Sequence, residues 1–92
     1  MLYVINYDLR QPGRDYEALY KAIKGLGDHV HPLESLWIVD TALKATPITQ
    51  RLRAVMDTND YLFVCQLGAD QDGWLPKTCW EWISARSVKA WA

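Results

Sequence analysis

The sequence predicts an α+β fold, a ferredoxin-like βαββαβ sheet with two helices on one face, followed by a C-terminal helix. Three observations carry that reading. Apolar residues alternate or run continuously in three extended segments. Between them the apolar period switches to three and four residues. Turn residues punctuate each switch.

The first strand covers Leu2–Leu9, with Tyr3, Ile5 and Tyr7 on one face and Leu2, Val4, Asn6 and Asp8 on the other. Gln11-Pro12-Gly13 ends it. From Arg14, the spacing of Tyr16, Leu19, Ile23 and Leu26 predicts a helix, with Asp15 and Glu17 at its positive end and Lys21 and Lys24 at the other. Gly25 and Gly27 close it, Gly27 being the better left-handed stop. Val30–Leu33 is a short extended piece broken by Pro32, and Ser35–Asp40 is a stronger strand, apolar on both faces. Thr46 as N-cap and Pro47 at the first helical position open a second helix, whose buried stripe is Ile48, Leu52, Val55 and Met56. Asp57–Asp60 is a polar turn, Tyr61–Leu67 the last strand, and Gly68–Gly73 a loop. Thr78-x-x-Glu81 is a capping box for a terminal helix with Trp80, Ile83, Ser87 and Trp91 on one side.

Ninety-two residues make one domain, divided into a core over 1–67 and a Trp-rich extension over 68–92. Two helices cover one face of this sheet, yet the strands are apolar on both. Either the terminal helix folds across the second face or a second copy docks there; a homodimer, with the helix trimming an edge, is the expectation.

The net charge of −1 excludes a broadly basic duplex-binding surface, so a nucleic acid or nucleotide must be met by a local patch. Arg10 with Arg14, and Arg51 with Arg53, are the candidates. No apolar run approaches the ~20 residues of a membrane span. The strand starting directly after Met1 leaves no place for a signal peptide, and the expectation is a cytoplasmic protein without a membrane partner. Cys65 and Cys79 show neither a CxxC pair nor a disulfide framework, and Cys65 reads as a small core residue.

YVINYDL, then a helix, then SLWIVD, then a helix, then DYLFVCQL resembles the Cas-two family, the smaller subunit of the CRISPR spacer-integration complex, together with the virulence-associated D ribonucleases. The sequence is closer still to short stand-alone SinR-like proteins, which share the YDL-x-x-PG opening and the S-x-W-x-V strand. The resemblance covers roughly residues 1–67. It implies a ferredoxin-like homodimer with Asp8 near the dimer axis, and Mg²⁺-dependent cleavage of RNA or DNA in which paired Asp8 carboxylates hold the metal and act as the catalytic groups. It also implies a setting in antiviral defence. Ser35 occupies the serine that opens the family's second core strand, and Trp37 replaces its usual Phe-like residue.

Other residues suggest alternatives. Tyr7, Arg10 and Arg14 suit a stacked base and a phosphate. His31 and Ser35 near Asp8 would complete a polar pocket, with His31 as proton carrier. A non-catalytic nucleotide or oligonucleotide binder is therefore the second reading. His29-x-His31 has metal-ligand spacing but needs a further ligand from Asp28 or Glu34. Trp80, Trp82 and Trp91 supply a third reading, a tail that docks a protein partner. For each site the plain structural role competes: Asp8 as cap of the following loop, the tyrosines as core, the tryptophans as packing.

Overall fold

The computed structural model describes residues 1–11 and 15–90, with side chains through residue 86. The elements are β1 (Leu2–Asp8), α1 (Glu17–Lys24), β2 (Asp28–Leu33), β3 (Leu36–Asp40), α2 (Ala45–Arg53), β4 (Tyr61–Gln66) and α3 (Lys77–Ala90). The strands form one antiparallel sheet in the order β2-β3-β1-β4. The chain is thus a small α+β protein with four strands and, among the described residues, three helices.

The alternation in β1 sorts the core into two layers. Tyr3, Ile5 and Tyr7 face α1 and α2, packing with Leu19, Ile23, Ile48 and Leu52. Leu2 faces the other way and packs with Ile38 and Ile83, with Val4, Val30, Trp80 and Trp82 around them. Ile83, Trp80 and Trp82 belong to α3. The terminal helix therefore lies across the second face instead of trimming an edge, because Leu2 and Ile38 would otherwise meet water. With Trp80 and Trp82 against the sheet, the rings expected to dock a partner are in large part packing residues; Trp91 lies outside the described residues.

Helix α3 covers only part of that face. The register pairs Leu33 with Leu36, Leu36 with Asn6, Asn6 with Phe63, and Asp8 with Tyr61. Directly paired residues share a face, so these side chains lie beside the α3-covered ones. Tyr61 and Phe63 are each 64% exposed. The last strand is apolar on both sides but packed on one here: Leu62 and Val64 lie under the helices, while Tyr61 and Phe63 face outward.

Helix boundaries shift for identifiable reasons. Helix α2 begins at Ala45, with Lys44 in the cap position and no side-chain cap, so Thr46 is not the N-cap and Pro47 sits inside the first turn. Proline is tolerated there because first-turn amides have no intrahelical acceptor. Helix α3 starts at Lys77, and the Pro76 carbonyl accepts from Cys79 and Trp80, so main-chain bonds rather than the Thr78–Glu81 box open it. Gly27 has φ 156°, and a Cβ there would collide with the Asp40 carbonyl. Its requirement is close backbone approach at the start of β2, in addition to the positive φ. Cys79 is buried, Cys65 half-buried, and both are free thiols. No described helix is long and apolar enough to cross a membrane.

Candidate functional site

The C-terminal end of β1 opens onto a cavity of about 470 Å³ lined by Asn6, Tyr7, Asp8, Leu9, Tyr20, Glu34 and Ser35. Three residues singled out in the sequence, Tyr7, Asp8 and Ser35, meet here because β1 and the β2–β3 turn are neighbours. The Tyr7 amide donates to the Ser35 carbonyl at 3.1 Å, and the Ser35 hydroxyl donates to Asn6 Oδ1 at 3.2 Å. The walls thus carry carboxylate, amide and hydroxyl groups over two phenol rings, a surface suited to hydrogen-bonding a polar ring edge.

Tyr7 anchors one wall. Its hydroxyl donates to the Glu34 carbonyl at 3.2 Å and accepts from Trp37 Nε1 at 3.0 Å. Burial pushes its pKa above the usual tyrosine value of 10.0, with the Trp37 hydrogen bond pulling the other way. Trp37 is itself a core residue, stacked under His31 at 3.8 Å between ring centroids and beside Tyr20 at 6.3 Å. Trp37 and His31 therefore lie behind Tyr7 and do not line the cavity. His31 Nε2 donates to the Glu34 carbonyl at 3.0 Å, and His29 Nδ1 donates to the Gly27 carbonyl at 3.1 Å. Both imidazoles spend a ring nitrogen on main chain. Among the described residues no group of three or more His, Cys, Asp or Glu side chains is placed to hold a metal ion.

Asp8 is more than half exposed and paired with Arg10, whose Nη2 lies 2.8 Å from Oδ2 and whose Nε donates to the same oxygen at 3.0 Å. The guanidinium also sits over the Tyr61 ring, 5.1 Å from its centroid. Arg10 thus joins the cavity to the exposed aromatic pair on β4. Tyr61 and Phe63, two residues apart on one strand face, were hidden in the sequence by the uniform apolarity of YLFVCQL. The one available signal was their i, i+2 spacing.

A second carboxylate holds the exit of β1. Asp60 is 5% exposed. Its Oδ1 accepts from the Arg10 amide at 2.7 Å and from the Tyr16 hydroxyl at 2.9 Å, while Oδ2 accepts from the Asp57 amide at 2.9 Å. Asp60 thereby ties the β1 exit to the start of α1 and to the turn before β4; the loop that Asp8 was expected to cap lies, beyond Gln11, outside the described residues. Arg14 lies outside the described residues. Arg53 turns back to donate to the Asp57 carbonyl at 3.0 Å, so the second arginine pair has one member committed to structure.

No protein-family model matches the chain, and no curated protein matches it. Among solved structures, the crystal structure of a hypothetical protein, TT1823, from Thermus thermophilus is similar, with a TM-score of 0.58. It is 21% identical, over 82% of this chain and 93% of that one. The likeness is one of fold.

Proposed function

We propose that this chain is a ferredoxin-like, Cas-two-like domain that binds single-stranded nucleic acid or nucleotides. The observation that carries the reading is Arg10, which links the Asp8 cavity to the Tyr61 and Phe63 rings. Exposed aromatics two residues apart on a sheet face offer stacking surfaces for bases, and a neighbouring guanidinium meets phosphate. Asn6, Asp8 and Ser35 then accept from or donate to the edge of a base or a ribose hydroxyl. Near-neutral overall charge fits a flexible single strand better than a duplex. The strand order β2-β3-β1-β4 supports the ferredoxin-like assignment. The homodimer belongs to the same proposal: two copies would present two such surfaces to one strand.

The test is fluorescence anisotropy of labelled single-stranded RNA and DNA with EDTA present. Stacking is worth about 1–3 kcal/mol per base, so Tyr61→Ala with Phe63→Ala should weaken binding tenfold or more, and Arg10→Gln should flatten its salt dependence. Absence of binding, or binding indifferent to the aromatic pair, would sink the reading.

A second reading is favoured by Asp8 and Glu34 lining one cavity. Mg²⁺ takes oxygen ligands and keeps several waters, and Asp8, Glu34 and Asn6 are donors of that kind. Bound there, the metal would supply charge neutralisation at a phosphodiester. Arg10 competes with it for Asp8. This reading requires Mg²⁺-dependent cleavage that Asp8→Asn abolishes.

A further inference from the structure

The polar side chains around the Asp8 cavity are mostly acceptors, with one spare donor among them. Arg10 engages only Oδ2 of Asp8. Among the described residues no group donates to Asp8 Oδ1 or to the Glu34 carboxylate, and both residues line the cavity. The Ser35 hydroxyl occupies Asn6 Oδ1, so what Asn6 has left for a ligand is Nδ2, a donor. The Glu34 carbonyl is already spent on the Tyr7 hydroxyl and His31 Nε2.

The sheet register sets a stacking surface beside these groups. Phe63 pairs with Asn6, and Tyr61 with Asp8. Directly paired residues share a face, with Cβ atoms about 4.5–5.5 Å apart. The Arg10 guanidinium covers one side of the Tyr61 ring. Phe63 carries no such cation and is largely exposed, so its ring is the open platform next to the Asn6 amide.

We infer that this cavity selects guanine, the base stacking on Phe63 with its Watson–Crick edge turned to Glu34 and Asn6. The inference rests on the nucleic-acid reading above and names the base that the site prefers. Guanine presents two adjacent donors, N1–H and the N2 amino group, beside one acceptor, O6. A carboxylate accepts two parallel N–H groups side by side, as it does from a guanidinium. Glu34 takes that pair, Asn6 Nδ2 donates to O6, and the second N2 hydrogen is left for Asp8 Oδ1. Adenine and cytosine set a lone-pair nitrogen next to their amino group on this edge, which would face a carboxylate oxygen. Uracil offers a single N–H between two carbonyls. Hypoxanthine keeps N1–H and O6 and lacks only the amino group, which makes it the sharpest comparison. A site whose acceptors are left unpaired rejects the analogue that lacks the donor.

Fluorescence anisotropy of the full chain in EDTA tests this, with labelled oligouridines that carry one central guanosine, inosine or adenosine. Hydrogen bonds to charged groups are strong enough that the guanosine strand should bind about tenfold or more tighter than the other two. Glu34→Gln and Asn6→Asp are both at exposed positions, and the second keeps an acceptor for Ser35. Each should collapse the preference, with thermal unfolding checking that the fold is kept. Equal binding of the three strands overturns the guanine inference and leaves the nucleic-acid reading standing. A guanosine preference that survives both substitutions overturns it as well, because the selective contact then lies outside this cavity. Absence of binding to any strand overturns both readings.

Discussion

Trp37 Nε1 donates to the Tyr7 hydroxyl at 3.0 Å, joining β3 to β1 across the buried layer beneath the helices. The Tyr7 hydroxyl reaches on to the Glu34 carbonyl. A single phenol therefore satisfies a buried indole and holds the turn that forms one wall of the cavity.

Tyr7→Phe should leave the Trp37 N–H without its acceptor, at about 1–3 kcal/mol. Because burial raises the folded pKa of Tyr7 above 10.0, its contribution is present below that pH and is lost as pH rises through the folded value. Urea unfolding at pH 7 and pH 10.5 should show an alkaline loss in the wild type that shrinks in the variant.

Asp60→Ala removes the acceptor of two main-chain amides and one phenol at a buried position. Hydrogen bonds to a charged group contribute about 1.5–3 kcal/mol each and are not additive, so a loss of about 3 kcal/mol is expected. Hydrogen exchange at the Arg10 and Asp57 amides should accelerate well before the centre of β1 does. Unchanged protection at both would show that the loop does not depend on this carboxylate.

Gly27→Ala should cost about 1–3 kcal/mol, because the added methyl meets the Asp40 carbonyl and the backbone φ suits glycine. Gly25→Ala is the control, since its Cβ would meet only ordinary or slightly tight neighbours at 3.4 Å and beyond. Thermal melts of the two variants should separate clearly.

Helix α3 is tied to β2 by Arg86, which pairs with Asp28 and stacks on Trp82, 4.1 Å from the ring centroid. The hydrogen bond from Arg86 holds the Asp28 carboxyl below its ordinary value of 3.8. The tie is therefore present above pH 3.8 and is lost as pH falls through the lower folded value. Tryptophan emission should shift to the red over that acid range, and Asp28→Asn should remove the pH dependence of the shift.

The periodicity of the chain was enough for an α+β domain, for the face taken by each residue of β1, and for the helical stripes of Leu19 with Ile23 and Ile48 with Leu52. These are properties of local repeat and burial, which a sequence carries directly. Asp8, Tyr7 and Ser35 were legible as candidates and do line one cavity, but their meeting depends on the pairing of β1 with β3. Tertiary structure alone decided that Trp37 and His31 stand behind Tyr7, that Asp60 holds the exit of β1, and that α3 covers only part of the second face. YLFVCQL reads the same whether one side is packed or open. Its exposed side, Tyr61 and Phe63, was settled by where α3, which begins 37 positions after the end of β3, came to rest, because burial depends on neighbours in space and not in sequence.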